Sequence, residues 1–181
     1  MSRRPALVVA LLGAESTGKT TLARALADQL GQETGERATW VPEALRQWCE
    51  AKGRTPRADE QLAIAQAQHA RIDEAAASHA IVVSDTTALM TAVYSRLVFG
   101  DRSLEDWAIQ AHARASLTLL TALDLPWVGD GLQRDGPHVQ VPVDEALQAL
   151  LQARAVPWVR VAGQGPARLQ AALAAVRPLL S

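Results

Sequence analysis

Apolar residues in this chain fall into short unbroken runs separated by longer amphipathic stretches. That is the pattern of strands buried on both faces alternating with the helices that cover them. The first run is Ala6-Leu7-Val8-Val9-Ala10-Leu11-Leu12, and Leu22, Leu26 and Leu30 then recur at i, i+4 spacing, predicting a helix over 21–30. A second strand is read at 37–41, stopped by Pro42, and a third at Ala80-Ile81-Val82-Val83-Ser84-Asp85. Between them lie helices near 43–52 and 57–79, separated by the Gly53-Arg54-Thr55-Pro56 break. Further on the pattern predicts helices at 86–98 and 103–113 and a strand at 116–121. A loop punctuated by Pro and Gly runs from 124 to 142, followed by a helix at 143–154, a fifth strand at 156–161 and a closing helix at 166–180. Such alternation predicts an α/β fold of three layers: a five-stranded parallel sheet with helices on both faces and right-handed crossovers. In such sheets ligands bind at the carboxyl ends of the strands.

Length and composition narrow the class. The 181 residues are expected to form a single domain, and 49% hydrophobic with 20% charged residues is globular composition. A net charge of -1 gives no electrostatic footprint for nucleic acid or an anionic membrane. The single cysteine, Cys49, excludes an internal disulfide and a Cys-based zinc site, and is read as a small helical hydrophobe in a reducing cytoplasm. The apolar run after Met1-Ser2-Arg3-Arg4-Pro5 is too short for a membrane span or a signal peptide. His69, His79, His112 and His138 show no metal-ligand spacing and are read as structural or surface residues. Whether the chain forms a homo-oligomer is open.

The chemistry starts directly after the first strand. Gly13-Ala14-Glu15-Ser16-Thr17-Gly18-Lys19-Thr20 is a complete G-x-x-x-x-G-K-[ST] phosphate loop, and it stands between a predicted strand and a predicted helix, as that motif requires. Its glycines let the backbone curl around an anion, and the helix start offers unpaired N–H groups and the positive end of the dipole. The reading is a site for Mg·ATP. Gly13, Glu15, Ser16, Thr17, Gly18, Lys19, Thr20 and Thr21 contact the nucleotide, Lys19 reaches the β/γ-phosphates and Thr20 ligates Mg²⁺.

Other candidates fall at other strand ends. Asp85 closes the third strand, where a carboxylate can hold Mg²⁺ opposite Thr20, act as a catalytic group, or cap the next helix. Glu43 follows the second strand and can orient or deprotonate an acceptor hydroxyl; Arg46, one turn later, can pair with it or contact substrate. Which of Glu43 and Asp85 is the base stays open. Trp40 can stack on a flat ligand ring or pack in the core, whereas Trp48, Trp107 and Trp158 are read as core. Tyr94 lies one turn from Thr91, so one helix face can present both hydroxyls to a substrate or pack on the sheet. Arg134, in the loop 124–142, is the candidate for a lid cation on the transferring phosphoryl group.

Taken together, the phosphate loop, Trp40 to Arg46, Ser84-Asp85-Thr86-Thr87 and Pro126-Trp127-Val128-Gly129-Asp130-Gly131-Leu132 resemble the ribosylnicotinamide kinase domain of NadR-type proteins, an AAA-like phosphate-loop family. The resemblance covers essentially the whole chain and implies an adenylate-kinase-like fold. It implies ATP-dependent phosphorylation of nicotinamide riboside to nicotinamide mononucleotide, with Trp40 and Tyr94 bordering the riboside and Asp85 at the Mg²⁺ or base position. The lid differs: where that family usually runs Asp-Gly-Leu-Arg, Gln133 fills the Arg slot and Arg134 follows. NadR-type proteins commonly carry an upstream adenylyltransferase module as well; the expectation for this chain is the kinase domain alone. Two alternatives stand beside this one: a kinase of another nucleoside, and a nucleotide-dependent regulatory ATPase with no small-molecule acceptor. Base preference, ATP or GTP, is not legible.

Overall fold

The computed structural model describes residues 5–129 and 136–180. Within them β1 (Leu7–Leu12), β2 (Ala38–Val41), β3 (Ile81–Asp85), β4 (Leu117–Thr121) and β5 (Val159–Val161) form one parallel sheet in the order β2-β3-β1-β4-β5. The helices are α1 (Lys19–Thr34), α2 (Ala44–Lys52), α3 (Gln61–Ser78), α4 (Ala88–Phe99), α5 (Glu105–His112), α6 (Gln140–Ala153) and α7 (Pro166–Val176). The three-layer α/β architecture is the one the apolar pattern predicts.

The strands read as continuous apolar runs because each of their faces meets a helix layer. Val9 and Leu11 of β1 pack with Val83 of β3 against Leu22, Leu26 and Leu30 of α1 and Leu173 of α7. Leu12 and Leu120 face the other way, into Leu89, Met90, Leu147 and Leu151 of α4 and α6. Val8 and Val82 meet Ile72 of α3. Each leucine buried in this way contributes about 2 kcal/mol of transfer free energy. β1 lies at the centre with β3 and β4 on either side, so the chain reverses its winding direction there and opens a crevice at the carboxyl end of β1.

Prolines account for most of the boundary corrections. β5 begins at Val159 rather than 156, since Pro157 has no N–H for the sheet ladder. α6 begins at Gln140, before the expected 143, and follows a 3₁₀ turn at Pro137–Val139. Pro142 reads as a breaker, but in a helix's first turn the N–H it lacks would be unpaired anyway. The segment 57–79 divides into a 3₁₀ turn, Ala58–Glu60, and α3, and the closing helix gives way to 3₁₀ geometry at Arg177–Leu179, around Pro178. Of the histidines, only His112 joins elements across the core. Its Nδ1 lies 2.9 Å from Thr87 Oγ1 and its Nε2 2.7 Å from Thr118 Oγ1, linking α5, the start of α4 and β4.

Burial holds the His112 pKa down at about 4, against 6.5 for an ordinary histidine. Between those values the unfolded chain takes up a proton that the folded chain refuses, so folding stability is full above pH 6.5 and falls as pH drops toward 4. The loss amounts to about 3 kcal/mol. Urea unfolding at pH 7 and pH 4.5 is expected to show a steeper loss of stability for the native chain than for His112→Gln, which has no such proton to refuse.

Candidate active site

The phosphate loop is shaped by two demands, close backbone approach and left-handed torsions. Gly13 has φ +150°, and a Cβ placed there would lie 2.0 Å from Thr121 Oγ1, so only glycine fits against β4. Ser16 at φ +57° and Gly18 at φ +74° take the left-handed torsions with which a turn can gather successive N–H groups around an anion, and α1 starts directly after them. Thr17 holds the loop from behind: its hydroxyl donates to Ala14 O at 2.8 Å and lies 2.7 Å from Thr121 Oγ1. Buried Arg168 of α7 adds a second anchor, donating to the carbonyls of Thr17 and Gly163 and to the Asp124 carboxylate.

Lys19 Nζ donates to Ala14 O at 2.7 Å, and burial pushes its pKa below the ordinary lysine value, opposed by the carboxylates of Glu43, Asp85 and Glu15. The Thr20 hydroxyl donates to Asp85 Oδ2. Asp85 is 1% exposed, and its other oxygen, Oδ1, is buried without a hydrogen-bond partner. A buried carboxylate with unspent lone pairs beside a hydroxyl is a donor set that fits a hard divalent cation. Among the described residues no group of three His, Cys, Asp or Glu side chains could hold a metal by itself, so such a cation would take its remaining ligands from phosphate oxygens and water.

A residue that the sequence reading passed over, Gln68 of α3, sets the two carboxylates relative to each other. It is 3 Å-scale bonded on both sides: Oε1 accepts from Ala44 N (2.6 Å), directly after Glu43, while Nε2 donates to Ser84 Oγ (3.3 Å), directly before Asp85. Ser84 Oγ donates in turn to Thr86 O at 2.6 Å, and Thr86 takes φ +71° to turn the chain out of β3. Thr87 then caps α4, its hydroxyl accepting from Leu89 N at 3.3 Å.

Lys19, Thr20, Thr21, Glu43, Arg46 and Tyr94 line one cavity of about 1190 Å³. Arg46 Nε lies 4.0 Å from Glu43 Oε2. Leu97, Val98 and Phe99 at the end of α4 add apolar lining. Leu125, Pro126, Val128 and Gly129 line the cavity as well. There Ser16 Oγ donates to Val128 O at 2.6 Å and accepts from Val128 N at 3.2 Å, and across the loop Gln140 Nε2 donates to Glu15 O at 2.7 Å. Both described flanks of the expected lid are therefore fastened to the phosphate loop. Arg134 and Gln133 lie outside the described residues.

Two expected placements differ. Trp40 does not line the cavity; it packs with the α1–α7 layer, with the Arg24 guanidinium 4.6 Å from its ring centroid. β2 is an outer strand, and at this position its side chain turns toward α1. Thr91 is buried at 4% exposure and does not share the cavity wall with Tyr94, because one helical turn at that point spans the boundary between core and cleft. Gln61, Gln68, Thr121 and Arg168 were missed. Their common signal is a polar residue at a position the surrounding apolar pattern buries, which only the folded packing makes plain.

A parallel sheet wound in this order, with a phosphate loop at its switch point and carboxylates at adjoining strand ends, defines a phosphate-loop phosphotransferase. A model of the AAA domain family matches residues 8–168, and the chain belongs to that family. Among solved structures it is similar to a NadR protein in complex with nicotinamide riboside (NR), at 25% identity and TM-score 0.81, over 96% of this chain and 51% of that one. It is also similar to a NadR protein in complex with NAD and AMP-PNP, at 24% identity and TM-score 0.76, over 96% of this chain and 49% of that one. A thymidylate kinase from Ehrlichia chaffeensis shares the fold at 13% identity and TM-score 0.66, over 97% of this chain and all of that one. This chain thus spans about half the length of the NadR chains. No protein of curated function matches it by sequence. No described helix is long and apolar enough to cross a membrane.

Gly13→Ala would drive a methyl group into Thr121 and hold a non-glycine residue at positive φ, strain on the order of 1–3 kcal/mol. Calorimetric titration is expected to show nucleotide affinity reduced about tenfold or more. Adding Thr121→Ala, which removes the clashing oxygen, is expected to restore part of that loss.

Proposed function

We propose that this chain transfers the γ-phosphoryl group of Mg·ATP to the 5′-hydroxyl of nicotinamide riboside, giving nicotinamide mononucleotide and ADP. The observation that carries the reading is the shared cavity, which the phosphate loop with Lys19 lines together with Glu43 and Arg46. The likeness in fold to NadR in complex with nicotinamide riboside supports that choice of acceptor.

In this reading the residues Gly13 to Thr21 cradle the triphosphate, and Lys19 balances charge on the transferring group. We assign the base role to Glu43, which lines the cavity, rather than to Asp85, which is buried beside Thr20 and has its free oxygen left for a cation. The 5′-oxygen attacks phosphorus as its proton passes to the Glu43 carboxylate; the new O–P bond forms while the bond from the γ-phosphorus to the bridging oxygen breaks, and ADP leaves. Thr20 and Asp85 would hold Mg²⁺, which when bound neutralises charge on the β- and γ-phosphate oxygens. Tyr94 and the apolar end of α4 offer a flat-sided surface to the pyridinium ring, whose positive charge suits an aromatic face. Gln68 sets Glu43 against Asp85, so most of the catalysis is positioning.

ADP release from Mg·ATP is expected to rise well above the basal rate with nicotinamide riboside, with nicotinamide mononucleotide identified by mass. Lys19→Ala is expected to lower that rate by on the order of 10²–10³-fold while far-ultraviolet circular dichroism stays unchanged. Stimulation by a different nucleoside alone would replace the acceptor. A rate indifferent to every acceptor would point instead to a regulatory ATPase.

A further inference from the structure

We propose that Gln61 reads the carboxamide of the acceptor and sets the preference of the site for an uncharged amide over a carboxylate. The inference rests on nicotinamide riboside being the acceptor and names the residue that would recognise its pyridine end.

Gln61 opens α3 and lines the cavity, yet it is only 3% exposed. Its Oε1 is buried and has no hydrogen-bond partner. A buried amide carbonyl left unpaired costs on the order of the hydrogen bond it forgoes, and native chains seldom keep one without a use. Gln68, two turns along the same helix, makes the contrast: it is equally buried, and both ends of its amide are bonded within the protein.

The surroundings say which part of a ligand reaches Gln61. Ile64, three residues on and so on the same helical face, packs with Ala44 and Leu45 of α2, and Tyr94 lies against that cluster. Gln61 therefore stands beside the patch where Tyr94 and Leu45 line the cavity, a surface suited to a flat ring rather than to the phosphate-accepting hydroxyl. A primary amide offers an N–H donor and a carbonyl acceptor side by side, and a ligand carboxamide is its complement, donor to acceptor and acceptor to donor. A carboxylate has no hydrogen to give Oε1 and would place negative charge against a buried carbonyl oxygen. Sites built to hydrogen-bond a donor reject the analogue that lacks it.

The test compares nicotinamide riboside with nicotinic acid riboside, which differs only by carboxylate for carboxamide, as the ratio of their kcat/KM values. The native chain is expected to favour the amide by about tenfold or more. Gln61→Leu, which removes both donor and acceptor, is expected to bring the ratio close to one, mostly through the KM of nicotinamide riboside. Gln61→Glu has the same size and can still accept from the amide but repels the carboxylate, so it is expected to raise the ratio. A purely structural role would lower both substrates by the same factor in both variants and leave the ratio where it was, which would overturn the assignment. So would a native chain that turns over the two ribosides equally or prefers the carboxylate, a result independent of whether either variant folds. If the native chain phosphorylates neither riboside, the choice of acceptor fails and this inference with it; turnover of nicotinamide riboside with an unmoved ratio defeats Gln61 alone.

Discussion

A loop that binds phosphate through its own N–H groups has to be kept from satisfying those groups itself, so it must be held open from behind. In this protein that support is the close seat of Gly13 and Thr17 on Thr121, where the missing side chain at 13 lets β4 come within contact distance. Arg168 secures the same loop from α7 through the Thr17 carbonyl. The local sequence supplies the curl of the loop, but its rigidity comes from elsewhere in the chain. The positive torsions of Ser16 and Gly18 persist because their surroundings over-determine them.

The same logic extends to the carboxylates. Glu43 follows β2 and Asp85 ends the neighbouring β3, each beside a turn that would be free to drift on its own. Gln68 bonds to both turns and fixes their separation, and His112 steadies the second one through Thr87. Buried polar side chains with every valence occupied act as rigid spacers. The cavity is thus lined by groups that face a ligand and backed by groups that face only one another.

What the sequence made legible follows from how local each feature is. The phosphate loop, the strand–helix alternation and Asp85 at the end of β3 are written in contiguous residues, and periodicity is enough to place them. Prolines at 142, 157 and 178 shifted boundaries because their effect depends on position within a turn, which periodicity does not resolve. Trp40 shows the next limit: alternation in a four-residue outer strand could not say which face carries the ring. Gln68, Thr121 and Arg168 lie beyond it, since a glutamine in an alanine-rich helix looks like surface until the fold surrounds it. Tyr94 and Thr91 make the point within one helix, where a single turn separates the cleft from the core.

The contact between Arg168 and Thr17 joins residues 151 positions apart. The phosphate loop precedes both of its supports in the chain, so its seat waits on β4 and one of its anchors waits on α7. A nascent chain therefore carries the motif before it carries the site, and until the later elements arrive the loop lacks its seat on Thr121 and its anchor on Arg168. Contacts of such long separation carry a loop-closure cost, so the support of the site depends on the chain between being brought to order. Nucleotide recognition is in this sense a property of the folded domain and not of the motif alone.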